Sequence, residues 1–564
     1  MKKILAGILF ILSASFVCAC TANDSSKDSS SGSSGSSSPP PIVCEHDLFQ
    51  VSARPATCQQ EGIIEYYRCR TCAQYFADAA AETVITYEQT RLPKTGHTGV
   101  KIEEAAASCG KNGVQEHWKC ETCNGLFTNA ECTVSATTLQ LQTPTLPHEN
   151  LTHNEQVAIN AYENGIKEHW FCEDCEQYFL EEAATSAVEY QDVILYSPFN
   201  MVDFIVEIPE DKDLVVLQLS DTQIIDGAQS RPTQSSGDKT TYATEKIKEY
   251  CYNYVEETIT ATNPDLIIIT GDLLYGKYDD NGSALQAFIA FMEKFETPWA
   301  PVFGNHDQES AMGADWQCEQ LENAQYCMFL QRELTGNGNY TVGVKQGDKL
   351  SRIFVMLDSN GCSDASAQSI ANGHTATLVG FGKDQIDWYT QQITRLKESS
   401  PATKISFAFH IQLSAFGDAL KKYGFNQNNT TQNIFVEERL NYTEGDFGYI
   451  GRKMKNGWDS SNAIYEGIKA LGADSIYVGH EHCNSASVVY EGIRFQYGQK
   501  SSEYDRFNCV SSTGEISTYY LYNKQGTPLI GGTVNVFSAT DGSFINGYIY
   551  YCKNAGALLG KSAS

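Results

Sequence analysis

Residues 477–482 read Tyr-Val-Gly-His-Glu-His. An apolar run enters a glycine, and two imidazoles follow, His480 and His482. Imidazole is the commonest metal-ligating side chain, and a glycine lets backbone approach closely. Such a pair suits two adjacent metal ions. Upstream the chain carries, in order, Asp221-Thr222-Gln223, Gly271-Asp272, Gly304-Asn305-His306-Asp307 and His410. Carboxylate, amide and imidazole donors in this order read as a two-metal hydrolytic site. Each motif alone has a plainer reading. Gly-Asp and Gly-Asn are common turn pairs, Asp-x-Gln is a turn, and His410 is a satisfied core histidine. The plainer reading needs all of them to coincide in one order.

These residues need elements to position them. Residues 214–220 form a β-type apolar run ending at Asp221. A helical stretch at 242–262 is stopped by Asn263-Pro264. Residues 266–270 are a second buried strand, ending at Gly271-Asp272. A helix is expected at 284–295, and Pro301-Val302-Phe303 leads into the Gly304 motif. Residues 352–357 are strand-like, and Ile386, Tyr389, Ile393 and Leu396 recur at helical spacing. The run 405–409 enters His410, a helix follows near 463–471, and 475–478 enters the two-histidine motif. Each donor thus sits just past a strand, where open α/β sheets gather functional groups. Of the 11 histidines, five lie beyond residue 200. Four are in these motifs, and the fifth, His374, is expected at the surface.

The order D-x-[HQ], GD, GNHD, H, GHxH resembles the calcineurin-like metallophosphoesterase superfamily, closest to its purple-acid-phosphatase-related branch. The resemblance covers about residues 213–552. It implies a four-layer αββα sandwich, an α/β (α+β) fold, and hydrolysis of phosphate mono- or diesters through a bridging water activated by two metals. It implies that Asp272 bridges the metals, that Asp221, Gln223 and His482 complete one site, and that Asn305, His410 and His480 complete the other. His306 would protonate the leaving oxygen or stabilise the transition state, with Asp307 orienting its ring. The ions are expected to be two divalent or mixed-valence metals (iron, manganese, zinc or similar). Two departures stand out. Gln223 occupies a position usually held by His, or by Gly in the purple enzymes, and its neutral oxygen weakens the first site or favours iron, manganese or magnesium over zinc. Tyr275 follows Asp272 by three residues, as the tyrosinate ligand of the purple enzymes does. It is either a metal ligand or a packed rim residue. Residues 498–506, with Lys500, either reach the site and touch phosphate or lie at the surface, and the surface is the expected place.

The N-terminus reads as a secretory leader. Met1-Lys2-Lys3 is followed by an apolar run over 4–17 that is too short for a membrane span. Val17-Cys18-Ala19-Cys20 resembles a bacterial lipoprotein box, with Cys20 acylated; ordinary cleavage and release is the other reading. Residues 21–41, rich in Ser and Gly and ending in prolines, are a spacer that cannot bury a core. Residues 1–20 are therefore the leader and 21–41 the tether. The chain is expected on the extracytoplasmic side of a cell membrane, held by lipid.

Three Cys-rich repeats follow, at 42–96, 97–147 and 148–197. The first carries His46, Cys58, Cys69 and Cys72. The second carries His97, Cys109, Cys120 and Cys123 at the same spacing. The third keeps Cys172 and Cys175, with Ala161 where the others have Cys, and either His148 or His153 as its histidine. A Cys3His set fills the four tetrahedral positions that structural zinc prefers, and the pattern resembles zinc-ribbon-like repeats of secreted bacterial surface proteins. Disulfides are the alternative in an oxidising exterior, with Cys44 and Cys132 taking the odd thiols.

Composition narrows the function further. The 564 residues carry a formal net charge of −29, which is unsuited to broad binding of nucleic acid. The expected partners are a phosphoester substrate, a membrane through the lipid, and a cell-surface partner through the repeats. A second reading makes the chain a surface-binding protein acting through its repeats, with an esterase domain weakened at Gln223. Substrate choice would be set by loops at 227–240, 361–380 and 426–456, which carry no motif.

Overall fold

The computed structural model describes residues 44–160, 162–229, 236–361, 380–423, 434–435, 445–450, 457–504 and 529–557. The leader, Cys20, the tether, Ala161, His374 and most of the last two specificity loops lie outside these residues. Among the described residues no helix is long and apolar enough to cross a membrane. The chain divides into two compact units, Met1–Leu146 and Pro147–Ser564.

The first unit holds two repeats built alike. In the first, Leu48–Val51, Tyr66–Cys69, Tyr75–Phe76 and Val84–Ile85 form an antiparallel four-stranded sheet. In the second, Gly99–Ile102, His117–Cys120, Leu126–Phe127 and Ser135–Ala136 do the same. The turn after each CxxC is closed by a left-handed residue, Ala73 at φ 60° and Asn124 at φ 58°. Its N–H donates to the carbonyl of the first cysteine, 3.0 Å to Cys69 and 2.9 Å to Cys120. The third repeat, in the second unit, repeats this with Glu176 at φ 57°.

Most of the second unit is a pair of sheets. Strands β1 (Phe204–Ile208), β2 (Leu214–Leu219), β3 (Leu266–Ile269), β4 (Trp299–Pro301), β5 (Tyr340–Gln346), β6 (Lys349–Met356), β7 (Lys404–Ala408), β8 (Ala473–Val478), β9 (Ser487–Tyr490), β10 (Ile493–Tyr497), β11 (Gly531–Phe537) and β12 (Phe544–Tyr551) alternate with helices. One sheet has the order β4-β3-β2-β11-β12 and the other β1-β5-β6-β7-β8-β10-β9. Strands β2, β3 and β4 run parallel, as do β6, β7 and β8, so their C-terminal ends gather along one edge.

The layering follows from side-chain alternation in β6. Phe354 and Met356 join the core that also holds Val216 and Ile268 of the other sheet, with Val255 and Ile259 of α1 (Asn253–Thr262) and Phe288 of α2 (Ser283–Met292). Ile353 and Val355 point the other way, into a second core with Tyr389, Ile393 and Leu396 of α3 (Lys383–Ser399) and Ile468 of α4 (Ala463–Ala470). A strand buried on both faces reads as a continuous apolar run, as β3 does with Leu-Ile-Ile-Ile. The result is helix, sheet, sheet, helix: the expected αββα sandwich. The helix expected at 242–262 is not uniform. A 3-10 turn (Thr244–Lys246) and a π turn (Lys248–Tyr252) precede α1, which Asn263 closes at φ 42°.

Candidate active site

The strand ends bring the predicted residues together. Asp221 and Gln223 follow β2, Asp272 follows β3, Asn305 and His306 follow β4, His410 follows β7, and His480 and His482 follow β8. Four of them sit at positive φ: Asp221 at 52°, Gln223 at 41°, Asp272 at 52° and His480 at 70°. A non-glycine residue held there costs on the order of 1–3 kcal/mol and clusters at functional sites. The chain also packs too tightly here for side chains on the motif glycines. A Cβ on Gly304 would lie 2.1 Å from Asp272 Oδ1, and one on Gly479 would lie 2.5 Å from Ser220 Oγ.

Asp221, Asp272 and His482 offer ligand atoms within 4.8 Å of one another. His482 Nε2 lies 3.3 Å from Asp221 Oδ1. Asp221 also accepts from the Ser220 hydroxyl and from the His480 N–H. On the other side, His410 is fully buried, and its Nδ1–H donates to the Thr270 carbonyl at 2.8 Å. That bond fixes the tautomer and turns Nε2 toward Asp272 Oδ2 and Asn305 Oδ1, each 3.2 Å away. The His480 ring meets His410 edge-on at 5.2 Å. Lone pairs of imidazole, carboxylate and amide thus converge, and only a proton or a cation satisfies them. Burial pulls His410 down, but Asp272 and Asp221 outweigh it and raise its pKa to about 9. Burial pushes Asp221 up, yet His482 and His410 hold it at about 2. Asp272 is likewise held well below the usual carboxylate range: His410 and His306 overcome its burial. This donor set fits a pair of metal ions.

Gln223 is fully buried at the same place. Its Nε2 donates to Asp272 Oδ2 at 2.9 Å, and its Oε1 faces Lys500 Nζ at 3.4 Å. It therefore presents a donor to the central carboxylate and turns its oxygen toward an ammonium. Lys500 follows the less expected of its two sequence readings, reaching the site and not lying at the surface. It is 2% exposed, and its Nζ donates to the Asp221 carbonyl at 2.7 Å. The segment after β10 folds back beside β2, where Ser220 and Lys500 form a parallel bridge.

A correction concerns His306. Asp307 does not take the expected part, because its carboxylate caps backbone: Oδ1 accepts from Leu274 N–H at 3.0 Å and Oδ2 from Gly304 N–H at 2.8 Å. Burial, then the nearby Asp272 charge, push Asp307 up to about 7. Buried Glu309 is the residue that meets the His306 ring, with Oε2 2.9 Å from Nδ1. An acid three residues on from the histidine, in the short turn Asp307–Glu309, was the available signal. Tyr275 stacks on His306 with ring centroids 4.3 Å apart, which places it against the imidazole face. The side chains of His306 and His482 are 18% and 22% exposed, so solvent reaches the site on their side.

The repeats hold Cys/His groups that could bind metal, grouped differently from the sequence expectation. Cys44, His46, Cys69 and Cys72 lie together, and Cys58, His97, Cys120 and Cys123 lie together. Cys58 is thus displaced from the first set, and Cys109 from the second. The spacing could not reveal this, since shifting one cysteine by a whole repeat leaves the period unchanged. In the third repeat, Cys175 Sγ lies 3.6 Å from His148 Nδ1, while His153 pairs instead with Glu168 at 2.8 Å.

Parts of the sequence are similar to known proteins. Residues 214–484 match the calcineurin-like phosphoesterase family. Over 264 residues the chain is 31% identical to the probable inactive purple acid phosphatase 14 of Arabidopsis thaliana, covering 43% of this chain and 60% of that protein. Over 239 residues it is 23% identical to phosphatase DCR2 of Saccharomyces cerevisiae, covering 41% of this chain and 38% of that protein. The chain thus spans less than two thirds of either relative. A dimetal phosphatase from Danio rerio aligns with a TM-score of 0.33 at 8% identity, over 60% of this chain and 98% of that one.

Proposed function

We propose that this chain is a lipid-anchored, metal-dependent phosphoesterase acting on phosphate mono- or diesters outside the membrane. The observation that carries the chemistry is the convergence of Asp221, Asp272 and His482 with His410 and Asn305 on one strand edge, beside the paired His306 and Glu309. The sequence of residues 1–41 supports the anchor: a basic start, a short apolar run, Cys20 and a Ser/Gly/Pro tether.

Asp272 would be shared between two ions, with Asp221 and His482 on one and Asn305, His410 and His480 on the other. Bound ions would supply an acidified water and neutralise charge growing on the phosphoryl oxygens. The protein's own groups do the rest. Thr270 holds His410 in the tautomer whose Nε2 can ligate. Glu309 holds Nδ1–H of His306, so that Nε2 is the nitrogen that handles the leaving-group proton. Tyr275 covers one face of that ring and limits its rotation.

The test is hydrolysis of a chromogenic phosphomonoester and a diester with added manganese, iron or zinc. Wild type should turn over at least one of them, while Asp272→Asn and His306→Ala should lose most of that rate. If wild type is as inactive as both variants with every metal, the hydrolase reading is lost. Two observations favour the second reading, a binding protein with a weakened esterase domain. Gln223 donates to Asp272 where a ligand would stand, and a curated relative carries the name "probable inactive". Full inactivity together with intact metal binding would support it.

A further inference from the structure

The first repeat passes a cysteine to the second. Cys58 belongs by sequence to the first, yet its thiol lies with His97, Cys120 and Cys123, all ligand atoms within 4.8 Å of one another. Within the first repeat, the N–H of Thr95, two residues before His97, donates to the carbonyl of Thr57, the neighbour of Cys58, at 3.1 Å, which brings the repeat boundary to Cys58. Cys58 also shares a small core with Cys120, Phe127 and Cys132. The ring of His97 packs on Phe127 with centroids 4.6 Å apart, as His46 packs on Phe76. We propose that Cys58, His97, Cys120 and Cys123 bind a zinc-class divalent cation in a closed site that staples the first repeat to the second, with Cys44 completing a matching site on His46, Cys69 and Cys72.

The geometry separates a metal from a disulfide. With Zn–S near 2.3 Å and Zn–N near 2.0 Å, tetrahedral edges come to about 3.8 Å for S···S and about 3.5 Å for S···N. Cys44 and Cys69 Sγ are 3.9 Å apart, His46 Nδ1 is 3.4 Å from Cys72 Sγ, and His97 Nδ1 is 3.4 Å from Cys123 Sγ. A disulfide would draw two sulfurs to about 2.05 Å and would give the histidine no part. On binding, the thiols release their protons to solvent and the neutral imidazole ligates through Nδ1. Three soft thiolates select zinc over magnesium or calcium. A single repeat is too small to bury an adequate core. A ligand borrowed across the boundary therefore makes the ion part of what joins the two repeats.

The test is zinc content and hydrogen exchange of the full chain, wild type against Cys58→Ser and Cys44→Ser. Cys58→Ser should lower bound zinc by one ion per chain and deprotect the turn at residues 120–124, leaving 69–73 protected. Cys44→Ser should give the mirror pattern, and this crossing separates loss of a site from general unfolding. Cys58→His, which keeps a ligand, should restore protection at 120–124. Deprotection of 69–73 by Cys58→Ser, an unchanged zinc count, or recovery of these cysteines as disulfides would each overturn the staple.

Discussion

Glu309 Oε2 stands 2.9 Å from Nδ1 of His306, while the nearer acid in sequence, Asp307, is turned into the backbone. The two acids therefore predict different phenotypes. Glu309→Gln keeps a hydrogen-bond acceptor but removes the charge that stabilises the imidazolium. We expect kcat to fall by about 10- to 100-fold with KM little changed, and the basic limb of the rate profile to move to lower pH. Asp307→Asn should instead act on folding, since its two backbone donors would share one acceptor oxygen. Steady-state kinetics beside denaturant melts check both. If Asp307→Asn gives the kinetic phenotype and Glu309→Gln does not, the assignment is reversed.

How much of this was readable beforehand depends on range. The donors were legible because each ends a strand, and a strand-end motif is a local pattern. The strand–helix alternation was legible because buried parallel strands such as 266–269 read as unbroken apolar runs, and the αββα layering itself came from the resemblance that the ordered motifs carry. Glu309 was missed because a three-residue turn decides which of two acids faces the ring. The burial of Lys500 was the less expected reading because it depends on a segment folding back beside β2, a long-range placement that leaves no local mark. Cys58 was misassigned for a reason of symmetry: in a repeat, ligation within and between units shares one period.

Arg352 ties the two sheets together, which gives a stability prediction away from the site. It stands on β6 with no exposed side-chain surface, donates twice to Asp474 at 2.7 Å, and lies 4.0 Å from the ring centroid of Phe537 on β11. It also donates to the Gly542 carbonyl at 2.7 Å. Arg352→Ala would leave half-buried Asp474 with its bond from Ser475 but no cation, and remove this donor from the Gly542 carbonyl, at a cost of about 1–3 kcal/mol. Lysine cannot make the forked pair, so Arg352→Lys should recover only part of this. Urea melts of the three proteins measure it, and a loss under about 1 kcal/mol for Arg352→Ala would count against the tie.

Asp358 supplies a pH dependence. It is buried, and burial pushes it up to about 6 against the bonds from Asn337 and Asn360 that pull it down. A carboxyl whose pKa is higher folded than unfolded binds its proton more tightly in the native state. Its favourable contribution is therefore full below about pH 4 and declines as pH rises to about 6, by on the order of 3 kcal/mol, and is flat above that. Asp358→Asn should remove this decline. Stability measured by denaturant at half-unit pH steps decides the matter, and parallel profiles for the two proteins would rule the group out.

Gln223 is where the sequence departs from the motif order it resembles, and its surroundings say what a reversion should do. The amide bridges two charged partners, donating to Asp272 and facing Lys500. Gln223→His would replace a weak neutral oxygen with an imidazole, a stronger ligand for borderline metals. It would also withdraw that donor from Asp272 Oδ2, while Oδ1 keeps its bond from the His306 N–H. We expect tighter binding at the site of Asp221 and His482 by about tenfold, worth about 1.4 kcal/mol, with the site of Asn305 and His410 unchanged. The ammonium of Lys500 opposes this, because it would lose an acceptor and sit nearer a cation. Gln223→His combined with Lys500→Met should therefore bind more tightly still at that one site. Calorimetric titration of metal-free protein with manganese and zinc resolves the two sites. If neither variant moves the weaker of the two affinities, Gln223 does not border a metal at all.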